Sequence, residues 1–232
     1  MMKEQRFFVI NEQIESEIKA IKRRLMLSMN GIVADSMTEK GLKYKQNYGV
    51  ELMVLAQMAQ TRSKSVELAD RLWLEGIRET IILSVLTYPV EQLTVQKAKQ
   101  LVTAAPTKEI IDILCHYLLS KTTFAQSLCV DLINDTSENS KVCGYMLVTK
   151  LFNTLSETDI NSVINSAIVD STNNSFNIYS SLAIALSRLC RVNSNVRARI
   201  ESELLSWGQD TVNSKKYIAD KVNQELNFLK NL

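Results

Sequence analysis

The side chains that most often carry out chemistry are sparse in this sequence. His116 is its one histidine, so the chain has no pair of imidazoles for a zinc site and a single one for general-base catalysis. The cysteines, Cys115, Cys129, Cys143 and Cys190, show no C-x-x-C spacing, and we expect free thiols that act as small hydrophobic residues. The six glycines stand singly, so no glycine-rich loop could hold a phosphate. These observations argue against zinc hydrolases and nucleotide-dependent enzymes of the common kinds, and we expect neither a metal nor a cofactor.

Two groups of basic residues are candidates for binding phosphates. The first is a run of arginines around one predicted helix-to-helix turn: Arg188, Arg191, Arg197 and Arg199. The second interleaves lysines with tyrosines near the N-terminal end: Lys40, Lys43, Tyr44, Lys45 and Tyr48. Guanidinium groups bind phosphate in a bidentate manner, and basic residues mixed with aromatic ones suit contact with nucleic acid. Each group also has a plain interpretation as a solvated outer surface.

Composition favours a mostly helical chain. Of the 232 residues, 46% are hydrophobic and 22% charged, while six glycines and two prolines are too few for a loop-rich or all-β fold. The 27 basic and 25 acidic side chains give a net charge of +2, which neither requires nor excludes a polyanionic partner. The apolar run at residues 7–10 is too short for a signal sequence, and no stretch approaches the roughly 18 apolar residues of a membrane span. We therefore expect a cytoplasmic protein.

Apolar residues recur at helical spacing along most of the chain. Ile160, Val163, Ile164, Ala167 and Ile168 form one such stripe, and similar stripes lie between residues 14 and 25 and between 110 and 118. Further helices are predicted at roughly 51–60, 65–75, 77–87, 94–104, 122–133, 138–154, 175–190, 195–208 and 212–230. Short connections rich in Ser, Thr, Asn and Asp separate these segments and provide helix caps.

Short connections make neighbouring helices antiparallel. Antiparallel pairs that follow one another at a pitch of about 35 to 45 residues are typical of HEAT-type repeats. The sequence therefore predicts an all-α fold, an α-α superhelix of HEAT-like antiparallel helix pairs that forms a single domain over residues 1–232. A compact helical bundle is the alternative, which we consider less favourable because a dozen helices have no single core to share.

Two blocks of sequence resemble the AlkD-like DNA alkylation repair family. The first is Tyr48-Gly49-Val50-Glu51-Leu52, followed by Leu55 and Ala59. The second is Leu68-Ala69-Asp70-Arg71-Leu72-Trp73, followed by Ile77-Arg78-Glu79 and Ile82-Leu83. The resemblance covers roughly residues 30 to 90 and implies a HEAT-like α-superhelical fold of the kind found in DNA glycosylases that excise alkylated purines.

The resemblance also implies where catalytic residues should lie. In that family a tryptophan and an aspartate lie one turn apart on a helix, with an arginine on the next unit and a second tryptophan further along. With the helices in register, these positions fall at Thr107 and Ile111, near Gly144 and near Ile184. None has the required side chain. A one-residue shift offers Asp112 and a three-residue shift offers Lys141, but no shift restores a tryptophan.

These observations favour a HEAT-like protein that binds duplex DNA or another elongated partner through its concave face, without excising bases. Arg188, Arg191, Arg197, Arg199, Lys43 and Lys45 are the predicted nucleic-acid-binding residues. Two alternatives stay open: a protein-interaction scaffold, and an active glycosylase with a rebuilt site. In the second alternative, Asp112 is the catalytic candidate and a tyrosine such as Tyr145 replaces an indole.

Overall fold

The computed structural model describes residues 11–231, and within that range it contains thirteen α-helices and two short 3₁₀ turns. No strand is assigned in the described residues, where an isolated bridge joins Gln46 to Ile77. The predicted all-α class is confirmed. None of the described helices combines the length and apolarity needed to cross a bilayer. The chain divides into two compact units, Met1–Pro89 and Val90–Leu232. The single domain over residues 1–232 stays a prediction.

The first unit contains five of the described helices. They are α1 (Glu12–Leu27), α2 (Gly31–Glu39), α3 (Leu52–Gln60), α4 (Val66–Leu74) and α5 (Arg78–Thr87). Helices α1, α3, α4 and α5 match predicted segments. Helix α2 was not predicted, because none of its residues is buried and it therefore has no strong apolar stripe.

A buried carboxylate joins the two blocks that carry the family resemblance. Glu79, at the start of α5, accepts hydrogen bonds from the backbone N–H groups of Tyr48 at 3.1 Å and Val50 at 3.2 Å. Arg78 donates to the Glu79 carboxylate at 3.1 Å and to the Val50 carbonyl at 3.0 Å. Between the two tethered residues, Gly49 has a φ of +69°, and a Cβ there would lie 2.2 Å from the carbonyl oxygen of Asn30. The resembling residues therefore stabilise the fold of this unit.

The second unit consists of two rows of helices. The rows are formed by α6 (Val95–Thr103), α7 (Lys108–Tyr117), α8 (Ala125–Ile133), α9 (Glu138–Leu151), α10 (Glu157–Asp170), α11 (Phe176–Leu189), α12 (Ser194–Trp207) and α13 (Asn213–Lys230). Helices α7, α9, α11 and α13 pack side by side in that order. On one side of this row, α8 packs against α9, α10 against α11, and α12 against α13. Each of these helices matches a predicted segment to within a few residues.

Helix α9 is central in this unit, packing against α6, α7, α8 and α11. Gly144 permits its close approach to α8, because a Cβ at this position would lie 2.5 Å from Cγ1 and 2.7 Å from the backbone nitrogen of Ile133. On the same helix, Tyr145 donates to Asp170 at 2.7 Å, and Lys141 pairs with Asp170 at 2.8 Å. Asp170 ends α10, so this polar cluster joins the two rows.

Candidate nucleic-acid interface

The second unit presents an uncovered surface on the side of the α7–α9–α11–α13 row that faces away from α8, α10 and α12. On α11, Leu182, Leu186 and Leu189 are buried toward the other row. The opposite stripe recurs every three or four residues and consists of the exposed residues Asn177, Ile184 and Arg188 together with Ser180, which is buried. We call this surface the open face. Its basic side chains include Lys108 on α7, Lys150 on α9 and Arg188 on α11, and its carboxylates include Asp112 on α7 and Glu138 of α9, which accepts a hydrogen bond from Asn177 at 2.8 Å.

Lys108 and Asp112 lie one helical turn apart on α7. The Lys108 ammonium reaches from α7 to α11, where its Nζ lies 3.2 Å from the hydroxyl oxygen of Ser180. The Asp112 side chain is half-buried, and its Oδ1 atom is buried without a hydrogen-bond partner in the described part of the chain. A buried carboxylate oxygen without a donor is costly, so this position favours a cation or a hydrogen-bond donor.

Burial perturbs both groups. It raises the pKa of Asp112, and the positive charges of Lys108 and Lys150 only partly offset this effect. It also lowers the pKa of Lys108, against the opposing effect of Asp112. The open face thus contains a carboxyl group and an amine whose charged forms are both disfavoured by their surroundings, a combination that is common at functional sites.

The four predicted arginines have different partners. Arg188 is exposed, and no described residue forms a hydrogen bond or ion pair with its side chain. The other three make contacts that join elements of the fold. Arg191 pairs with Glu225 of α13 at 2.6 Å, Arg197 donates to the Cys190 carbonyl at 3.0 Å, and Arg199 donates to Asn161 and Asn165 of α10. Arg188 is therefore the arginine best placed to meet a ligand.

The lysine and tyrosine group lies in the first unit, mainly in the loop between α2 and α3. Lys43 and Lys45 are exposed and could reach phosphates. Tyr48 is buried, so it cannot provide a surface for stacking. Gln46 lies between Lys45 and Tyr48, and its backbone carbonyl accepts a hydrogen bond from the N–H of Arg78 at 3.0 Å, which fixes the loop next to α5.

The structure also locates the positions that the family resemblance points to on α7. Thr107 caps the helix by accepting from the N–H of Ile110, and Ile111 is buried. The pair that faces outward lies one residue later, at Lys108 and Asp112, which corresponds to the one-residue shift. If that shift applies, a lysine stands where the resemblance places the first tryptophan, and Asp112 stands where it places the aspartate.

The other positions to which the family resemblance points lie in different surroundings. Gly144 faces α8, and Lys141 bonds Asp170, so neither lies on the open face. Ile184 is 43% exposed there. The hypothesis that Tyr145 replaces an indole is wrong, because this side chain is fully buried and its hydroxyl is bonded to Asp170.

Cysteine and histidine chemistry gains no support from the geometry. Cys115 and the other cysteines are buried, and the Cys115 and Cys143 sulfur atoms lie 3.5 Å apart. His116 is exposed and packs edge-on against Tyr117, with ring centroids 4.5 Å apart. Among the described residues, no group of three or more His, Cys, Asp or Glu side chains is arranged to hold a metal ion.

Sequence reasoning missed one feature, a group of aromatic rings where α11 and α13 begin. Phe176 and Tyr179 of α11 contact Tyr217 of α13. The spacing of the first two, three residues apart on a helix, is a local signal that they lie on one side. Nothing local indicates that Tyr217 joins them.

Comparisons with known proteins support the fold. No protein-family profile matches the chain, and no curated protein matches it. A solved structure of "a new family of proteins related to the HEAT-like repeat DNA glycosylases with affinity for branched DNA structures" is similar over 89% of this chain and 94% of that chain, with a TM-score of 0.75 and 14% identity. A designed armadillo repeat protein in complex with the peptide (KR)4 gives a TM-score of 0.43 at 14% identity, covering 91% and 93%. The first likeness confirms the predicted HEAT-like architecture.

Proposed function

We propose that this protein binds DNA, and branched DNA in particular, through the open face. The observation that carries the proposal is Arg188, an exposed guanidinium on this face to which no described acidic residue is paired. Lys108 and Lys150 add positive charge to the same row of helices. Phosphate contacts from arginine and lysine supply much of the affinity of proteins for DNA. The structurally similar protein has affinity for branched DNA, which supports DNA as the partner.

The other predicted residues have secondary roles in this proposal. Arg191, Arg197 and Arg199 hold neighbouring elements together, so we expect them to contribute less to phosphate binding than Arg188. Lys43 and Lys45 form a second contact region on the first unit. Because Lys43 and Lys45 are exposed on a loop, we expect them to add affinity without selecting a DNA shape.

Fluorescence anisotropy with a labelled four-way junction, a flap and a linear duplex tests the proposal. Each titration is repeated at several salt concentrations, because the slope of log affinity against log salt counts the phosphates contacted. We expect Arg188→Ala to weaken binding to all three DNAs and to reduce the slope by about one. Lys99→Ala is the matched control, since Lys99 lies on α6 and pairs with Asp131 at 3.0 Å. No binding to any DNA at low salt would overturn the proposal and leave the protein-interaction scaffold.

Base excision is the second candidate, and the unpartnered Oδ1 of Asp112 favours it. A carboxylate at this position could stabilise the positive charge that develops on a sugar as its base departs. The assay is release of methylated purines from methylated duplex DNA. Activity in the wild type and its loss in Asp112→Asn would support this function, whereas binding without release would exclude it.

A further inference from the structure

Phe176, Tyr179 and Tyr217 form a compact aromatic cluster next to the open face. The ring centroids of Phe176 and Tyr179 lie 5.3 Å apart, those of Phe176 and Tyr217 5.7 Å, and those of Tyr179 and Tyr217 5.2 Å. The interplanar angles are 85°, 69° and 66°, so each pair meets edge to face. This arrangement holds the rings in place through mutual contacts and leaves part of their surfaces uncovered.

The cluster is accessible to a ligand. Phe176 is 57% exposed although it is the most apolar of the three residues. Tyr179 and Tyr217 are half-buried, and neither phenol hydroxyl hydrogen-bonds another of the residues between 11 and 231. An exposed phenyl ring supported by two tyrosines with free hydroxyls offers an apolar surface for stacking together with polar groups at its edge.

Two lysines lie near the cluster, together with the carboxylate of Glu138, which accepts a hydrogen bond from Asn177 at 2.8 Å. One turn after Phe176 on α11, Ser180 is bonded to the Lys108 ammonium at 3.2 Å. One turn after Tyr217 on α13, Lys221 is exposed. Phe176 and Tyr179 lie in the first turn of α11 and Tyr217 lies in the second turn of α13, and no side chain caps the first backbone N–H groups of either helix. Helix N-termini attract anions, so these turns add to the effect of the lysines.

We propose that the aromatic cluster stacks an unpaired nucleobase of a branched DNA while the flanking cations hold the neighbouring phosphates. Aromatic side chains within a positive surface are the means by which proteins bind single-stranded nucleic acid. In a continuous duplex, each base face is covered by the next base pair, so the rings can reach a face only where the stack is interrupted. This inference rests on the proposed DNA binding and narrows it to branched DNA that contains unpaired bases.

The inference predicts a preference that can be measured. A flap or fork with unpaired bases should bind more tightly than a four-way junction in which every base is paired, when arm lengths and ends are matched. Phe176→Ala should weaken binding to the flap by about 5- to 150-fold, the range that corresponds to loss of one stacked base. The same variant should bind the fully paired junction within about twofold of the wild type.

Variants and a fluorescent base separate stacking from a change in folding. Phe176→Trp and Tyr217→Phe retain the rings and should bind the flap as the wild type does. Phe228→Ala is the matched control, because Phe228 is an exposed ring on α13 that lies 5.9 Å from the Arg191 guanidinium, outside the cluster. A 2-aminopurine at the first unpaired position of the flap should be quenched on binding, and Phe176→Ala should remove the quenching.

The outcomes distinguish this inference from the proposed function. If flap and paired junction bind equally, and Phe176→Ala matches the wild type on both, the stacking inference is wrong while DNA binding stands. If no DNA binds, the proposed function fails, and the stacking inference fails with it. Selective loss of flap binding in Phe176→Ala, with rescue by Phe176→Trp, supports both.

Discussion

Replacing Glu79 with alanine should cost the first unit about 3 to 5 kcal/mol of unfolding free energy, the usual effect of removing one partner of a buried ion pair. Glu79 is fully buried, and its carboxylate accepts from Arg78 and from the backbone N–H groups of Tyr48 and Val50. Alanine would leave both N–H groups without this acceptor, at about 1 to 3 kcal/mol each, and would remove the counter-charge of the guanidinium. These costs overlap, because water entering the vacated space would satisfy part of the loss.

Urea unfolding followed by tryptophan fluorescence measures the effect. The two tryptophans lie in different units, so a Trp207→Phe background leaves Trp73 of α4 as the reporter of the first unit. The control is Glu75→Ala, which removes an ion pair with Lys22 of 2.7 Å that is less buried than the Arg78–Glu79 pair. Surface pairs contribute about 0 to 1 kcal/mol. A loss in Glu79→Ala no larger than that in Glu75→Ala would refute the role assigned to the buried carboxylate.

Three further predictions concern stability and reactivity. Gly144→Ala should destabilise the second unit by about 1 to 3 kcal/mol through overpacking against α8. Gly31→Ala is the control, because a Cβ at Gly31 has open space and should not destabilise the fold. Thermal unfolding of the two variants measures the difference. Asp112→Asn should become more stable relative to the wild type as pH rises from about 3 to 7. The raised pKa of Asp112 means that its ionisation in this window opposes folding, and a relative stability independent of pH would contradict this. All four thiols should resist Ellman's reagent at neutral pH until the protein is unfolded, because they are buried. Burial also raises the pKa of Cys190 to about 12. Rapid labelling of the native protein would show that the thiols are accessible and would contradict this prediction.

The helices that bury an apolar stripe could be predicted from sequence, and α2 shows why one could not. Asn30 caps α2 through a side-chain bond to Val33 and donates its backbone N–H to the Tyr48 carbonyl at 2.8 Å. The helix is thus stabilised by a cap and a distant backbone contact, neither of which produces periodicity in its own residues.

The candidate site could be predicted by residue type but not by geometry. Arg199 resembles Arg188 in sequence, yet its guanidinium is bonded to asparagines that lie 34 and 38 positions earlier in the chain. Ile111 and Asp112 point about 100° apart around the axis of α7. Because apolar residues cover most of the circumference of this helix, the sequence does not show which of the two faces outward. Tertiary packing determines which arginine is bonded within the fold and which residue of α7 faces outward.

The central position of α9 gives a way to observe ligand binding without a label. Because four other helices enclose it, its amide hydrogens should exchange with deuterated solvent only when most of the second unit opens. A molecule that binds the folded unit makes that opening rarer by mass action. Slower deuterium uptake in α9 would therefore reveal an occupied surface several ångströms away, whatever the bound molecule proves to be.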